Sequence, residues 1–79
     1  MKKIAALSAI LANPAQTQSQ FNAAVSDYQE IVKGRLGIPF DDKKAAAISI
    51  IAYAEEDIII QFTDRLSAID GVSVNTAIY

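Results

Sequence analysis

The sequence contains no cysteine, no histidine and no tryptophan. Without cysteine it has neither disulfides nor thiolate ligands. Without histidine there is no imidazole acid–base chemistry and no Ser–His or Cys–His nucleophilic pair. The two absences together exclude zinc sites of the ordinary type and thiolate-held iron–sulfur clusters, while a carboxylate-held Mg²⁺ or Ca²⁺ stays formally open. The expected set of metals and cofactors is therefore none. Positive charge is also scarce: 7 basic residues stand against 9 acidic ones, a net charge of −2. That balance argues against direct binding to nucleic acid or to an anionic membrane. No apolar run approaches the roughly 20 residues that span a bilayer.

Apolar residues, by contrast, are abundant, at 52% of 79 residues against 20% charged. A chain this short forms one domain, residues 1–79, near the lower size at which a single core suffices. Its interior cannot absorb that much apolar surface, which predicts a homodimer or higher homo-oligomer. The opening "MKKIAALSAILANPAQ" imitates a secretory signal, with two lysines before a mostly apolar run. No A-x-A cleavage site follows, and removal would leave about 64 residues, few for a lone core. The expectation is a soluble, cytoplasmic protein.

Residues 3–12 are apolar on both faces, which fits a buried strand or a buried helix. "NPAQ" breaks the run, with Asn13 a suitable N-cap and Pro14 suited to the first helical turn. From about 16 to 30, Phe21, Ala24, Val25 and Tyr28 recur at helical spacing. Residues 31–40 read as a strand with Lys33 and Arg35 on one face and Val32, Leu36, Ile38 and Phe40 mainly apolar. "DDKK" at 41–44 is a solvated turn, and 45–54 a second strand apolar on both faces. Glu55, Glu56 and Asp57 crowd a helix start, where the macrodipole favours negative charge. Ile59, Phe62, Leu66 and Ile69 form that helix's inward stripe. Gly71 supplies the positive φ expected near a helix end, and "VSVNTAI" alternates as a last strand.

Strand, helix, strand, strand, helix, strand is the split βαβ, ferredoxin-like α+β arrangement. It places the first and third strands at the centre of a four-stranded antiparallel sheet, with both helices on one face. Those are the two strands apolar on both sides; the second, with Pro39, suits an edge. The agreement favours a strand over a helix for residues 3–12. Leu7, Ala9, Ile48, Ile50, Val72 and Val74 should then face the helices. Ala6, Ser8, Ser49, Ile51, Tyr53, Ser73 and Asn75 should form the opposite face, too apolar for open water. Ser49, Ile51, Tyr53 and Asn75 are accordingly the candidate oligomer contacts.

"KGRLGIPFDD", residues 33–42, raises three sharper possibilities. A phosphate loop needs its glycines between a strand and a helix N-terminus, and here they follow a helix and lead into Pro39. "GRLG" has the spacing of a KH clamp, but no second helix follows it. An RNA-recognition signature would need aromatics where Arg35 and Gly37 stand. The remaining reading is an edge strand in which Gly34 and Gly37 allow a bulge or a close approach, with Arg35 an exposed edge cation. Such a strand can also admit a ligand or a second subunit.

The segment Arg35 to Pro39, the acidic helix start Glu55 to Asp57 and the "GV-x-V" strand from Gly71 to Val74 resemble the small ACT-like proteins of the iron-only hydrogenase system regulator family. The resemblance covers nearly the whole chain and is most specific at R-L-G-I-P. It implies an ACT-like ferredoxin fold, oligomeric assembly and a regulatory role. ACT domains take small effectors at subunit interfaces near the first strand–helix loop; this chain has Ala-Asn-Pro-Ala-Gln where amino-acid-binding members carry a glycine. Lacking Cys and His, it cannot itself hold the iron–sulfur chemistry of the family name. The expectation is a small regulatory or ligand-sensing protein rather than an enzyme, with no catalytic residues. Its effector site is expected at Asn13, Pro14, Gly34, Arg35 and Gly37. Its partners would be itself, a small-molecule effector and, for any transcriptional role, another protein. The alternatives are a purely structural assembly module and, behind it, a small enzyme of this fold. Acylphosphatase-like chemistry would need an anion-cradling first loop with an arginine, which "NPAQ" does not offer. Asp41, Asp42, Glu55, Glu56 and Asp57 read as turn and helix-start charges.

Overall fold

The strands that are apolar on both sides do take the middle of the sheet. A computed structural model describes the whole chain, Met1–Tyr79. It runs β1 (Lys2–Ala12), α1 (Pro14–Asp27), a 3-10 turn (Gln29–Ile31), β2 (Val32–Phe40), a second 3-10 turn (Asp41–Lys43), β3 (Ala45–Glu55), α2 (Glu56–Ser67) and β4 (Val72–Ile78). The sheet order is β2-β3-β1-β4, antiparallel throughout. Residues 3–12 are thus strand, as the edge-and-centre logic requires.

Alternation along β1 and β3 sets the layers. Ala5, Leu7, Ala9, Leu11, Ile48, Ile50, Ala52 and Ala54 are buried and join one core cluster with Phe21, Ala24 and Val25 of α1 and Ile59, Phe62 and Leu66 of α2. Their neighbours on the other side of the pleat are exposed, because no element covers that face. Tyr28 and Phe62 meet across the two helices with ring centroids 4.9 Å apart. Arg65 on α2 donates to Asp27 on α1 at 2.7 Å; the pair is solvent-exposed, so it adds little beside the buried aromatics.

Two local features differ from the sequence reading, and a third fixes where the expected bulge of β2 falls. The first helix begins at Pro14 and ends at Asp27, earlier at both ends than the apolar spacing indicates. Asn13 holds the N-cap position, but in a left-handed conformation (φ 49°) and with no side-chain capping bond. Thr17 takes over the anchoring: its buried hydroxyl donates toward the Ala12 and Asn13 carbonyls at 3.1 and 3.3 Å. In β2, a bulge between Val32 and Gly34 leaves Lys33 as the extra residue. The bulge switches the side-chain parity. Val32 therefore lies on the helix side with Arg35, while Gly34, Leu36, Ile38 and Phe40 occupy the open face.

Gly71 has φ +86°, but it stands in the turn before β4, after the α2 cap at Ala68. Its carbonyl accepts the Ala12 N–H at 2.8 Å, tying this turn to the end of β1. A Cβ there would meet Thr17 Cγ2 at 3.1 Å. Gly71→Ala is expected to cost about 1–3 kcal/mol, from left-handed strain and crowding of Thr17. Urea unfolding measures this directly, and an unchanged midpoint would show that the turn relaxes freely.

Candidate functional site

One cleft opens on the helix side of the sheet, between the start of α1 and the β2–β3 edge. Its volume is about 600 Å³, within the range of small-molecule sites. The cleft exists because two helices do not cover four strands completely, and because the β2 floor is built from small or flat residues. Gly37 and Pro39 sit on the helix side of β2, opposite Ile48 and Ala46 of β3. A side chain at position 37 would occupy that floor.

Of the five residues expected at an effector site, Asn13, Pro14, Arg35 and Gly37 line this cleft. Gly34 does not. It faces the open side opposite Ile51, and an added Cβ there would meet nothing within 4 Å. Arg35 is brought to the helix side by the bulge and leans against α1. Its guanidinium donates to Asn22 Oδ1 at 3.1 Å and lies 5.8 Å from the centroid of the Phe21 ring. That contact fixes the direction of the side chain while leaving most of its five N–H donors free. The sequence reading of Arg35 as a plain edge cation thus misses its helix-side placement.

Lys44, Asp41, Gln16 and Gln18 also line the cleft, and the sequence reading missed all four. The available signal was topological: the Asn13–Pro14 turn and the "DDKK" turn fall at the same end of the sheet. They are joined directly, since the Asn13 N–H donates to the Lys44 carbonyl at 2.9 Å. Asn13 and Lys44 are also the two non-glycine residues with positive φ, both at 49°. Left-handed backbone at a lysine is unfavourable and persists where surrounding structure demands it. Here the demand is a sharp exit from the Asp41–Lys43 turn, whose last residues are held by the Lys44 N–H on the Asp41 carbonyl at 3.2 Å.

Arg35 and Lys44 engage in no ion pair with another residue. With Asp41 as the single acid, the lining carries a net positive charge in an acidic protein. The arrangement can hold a small anion or zwitterion by its carboxylate or phosphate, with amide side chains of Asn13, Gln16 and Gln18 as further donors and acceptors. No group of three or more Asp, Glu, His or Cys is placed to hold a metal ion. The candidate oligomer contacts Ser49, Ile51, Tyr53 and Asn75 all lie on the uncovered sheet face, away from the cleft floor. No helix is long and apolar enough to cross a membrane.

The comparisons with known proteins agree with this fold. The structure of uncharacterized protein TM1266 from Thermotoga maritima superposes with a TM-score of 0.94 at 23% identity, over 99% of this chain and 98% of that one. No curated protein matches the chain. The model of the TM1266-like family, described as "Iron-only hydrogenase system regulator, putative", matches residues 3–76. The match takes in both helices and all but the outermost residues of β1 and β4, and the chain belongs to the TM1266-like family.

Proposed function

We propose that this protein is a small regulatory module that senses an anionic or zwitterionic small molecule in the α1–β2 cleft and performs no chemistry on it. The observation that carries the reading is the presence of two cations, Arg35 and Lys44, neither in an ion pair, in the lining of a cleft of about 600 Å³ with Gly37 in its floor. Membership of a family of regulators supports it. The absence of histidine and cysteine from the sequence also supports a binding role over a catalytic one. Any response in a cell would pass through the effector's influence on assembly or on a protein partner.

The test is a thermal-shift screen of amino acids, nucleotides and metal ions, run in parallel on Arg35→Ala. A ligand that binds the folded chain alone stabilises it by about 2.7 kcal/mol at one hundred times its Kd. For a domain of this size that raises Tm by about 10 °C or more. Arg35→Ala should remove most of the shift produced by the anionic compounds. A flat response to every class would instead favour the structural-module alternative, and turnover of an acyl phosphate would overturn the non-enzymatic reading.

A further inference from the structure

The two cations of the cleft stand toward opposite ends of it. Arg35 is tied to α1 at Asn22 by the 3.1 Å hydrogen bond, while the Lys44 carbonyl accepts the Asn13 N–H at the start of that helix. Nine positions along α1 separate these ties, about 13 Å at a rise of about 1.5 Å per residue. The strands agree, since Arg35 pairs with Ile50 and Phe40 with Ala45, five steps or about 17 Å apart. A single phosphate or carboxylate meets both cations only if the lysine chain lies at full stretch along the cleft, which costs rotamer entropy.

The ends also differ in charge. Arg35 has no acid paired with it. At the other end Asp41 and Lys44 share one turn, closed by the Lys44 N–H on the Asp41 carbonyl, and both line the cleft. Neither side chain is engaged in an ion pair or a hydrogen bond. Between the ends, Gly37 and Pro39 lie opposite Ile48 and Ala46, a floor whose side chains offer no donor or acceptor.

On the reading of the cleft as the effector site, on which this rests, we infer that its ligand is an α-amino acid with a second acidic group at the far end of an apolar chain. The ammonium group meets Asp41, the α-carboxylate meets Lys44, and the remote carboxylate takes the free donors of Arg35. Contact at Arg35 uses about 3 Å of the span, which leaves about 10 Å. An extended eight-carbon chain covers that distance, at about 1.2 Å per bond with its terminal oxygens added. A short amino acid fills the head end alone and leaves Arg35 empty. A dicarboxylate without the ammonium places its charge beside an unpaired Asp41. A nucleotide lays the polar edge of its base on a floor with no partner for it, at a desolvation cost.

Four probes separate these features by isothermal titration calorimetry: 2-aminosuberate, 2-aminooctanoate, suberate and aspartate. 2-Aminosuberate, which carries both ends, should bind at least about tenfold more tightly than each of the others, a difference of about 1.4 kcal/mol. Arg35→Ala should lower its affinity to that of 2-aminooctanoate and leave 2-aminooctanoate itself unchanged. Asp41→Asn should lower it to that of suberate, without weakening suberate. Arg35 and Asp41 are both exposed, so both variants should fold, as far-UV circular dichroism will verify. Aspartate or 2-aminooctanoate binding as tightly as 2-aminosuberate overturns the two-ended ligand, and suberate doing so overturns the zwitterionic head. If none of the four binds while another compound raises Tm in an Arg35-dependent way, this inference fails and the cleft remains the effector site. If no compound of any class binds, both fail together.

Discussion

Phe62→Ala is expected to leave the protein close to unfolded at ambient temperature. Phe62 is fully buried on the inner stripe of α2 and its ring packs on Tyr28 at a centroid distance of 4.9 Å. Truncating a buried phenylalanine removes its transfer free energy and leaves a cavity, together about 3–5 kcal/mol. A chain of 79 residues has a total stability of roughly 4–12 kcal/mol. The loss is therefore a large part of the whole, and at the lower end nearly all of it. Few substitutes exist in so small a core: the cluster holds 15 buried residues, several of them alanines that cannot expand to fill the space. Ile60 supplies the control. It lies on the same helix two residues away but is 48% exposed, so Ile60→Ala should cost about 1 kcal/mol or less. Urea titrations followed by circular dichroism measure both. Equal losses from the two variants would mean that α2 does not present the 59/62/66 stripe inward.

That stripe was readable in the sequence, and so was most of the fold, for a definite reason. β1 and β3 are apolar on both faces: one face meets the helices, and the other, though uncovered, still carries Ile4, Ile10, Ile51 and Tyr53. In a βαββαβ chain the topology places those strands at the centre. Pattern and topology gave the same answer, and the observed β2-β3-β1-β4 order agrees. What stayed hidden depended on single-residue geometry. A strand's side-chain parity can be counted along the sequence until a residue is inserted. The extra Lys33 reverses the count, moving Val32 to the helix side with Arg35. Asn13 looks like a capping residue, but its left-handed backbone leaves its side chain with no capping bond, and Thr17 four residues on does the anchoring. Lys44 could not be assigned to the site from spacing, since it lies 31 positions from Asn13 in the numbering. It reaches the cleft through a backbone hydrogen bond between two turns. Asn13 and Pro14 of the "NPAQ" turn were legible; Gln16 and Gln18 after them, and Asp41 and Lys44 of the "DDKK" turn, were not.

Gly37→Val is expected to abolish effector binding while leaving the fold intact. Gly37 lies on the helix side of β2 opposite Ile48, in the floor of the cleft. A Cβ at this position would approach Ile48 Cγ1 at 3.7 Å, an ordinary van der Waals contact, and its backbone is not left-handed. Nothing therefore forbids a side chain in the folded state, and a β-branched residue suits a strand. Replacing glycine also narrows the unfolded ensemble, so stability should stay level or rise slightly. The valine methyls would instead fill the floor of the space beside Arg35. Any compound that uses this cleft must lose contact with the floor or be excluded, and affinity should fall at least about tenfold, equivalent to about 1.4 kcal/mol. Gly34→Val is the matched comparison. Gly34 lies in the same strand but on the open face, with nothing within 4 Å of an added Cβ. It should therefore retain the full response. The measurement is the ligand-dependent rise in Tm, using whichever amino acid or nucleotide shifts the wild type most. Gly37→Val should show no rise, whereas Arg35→Ala should show a reduced one confined to loss of anion binding. A full response in Gly37→Val would place the binding site elsewhere on the molecule, even if the protein does bind a small effector.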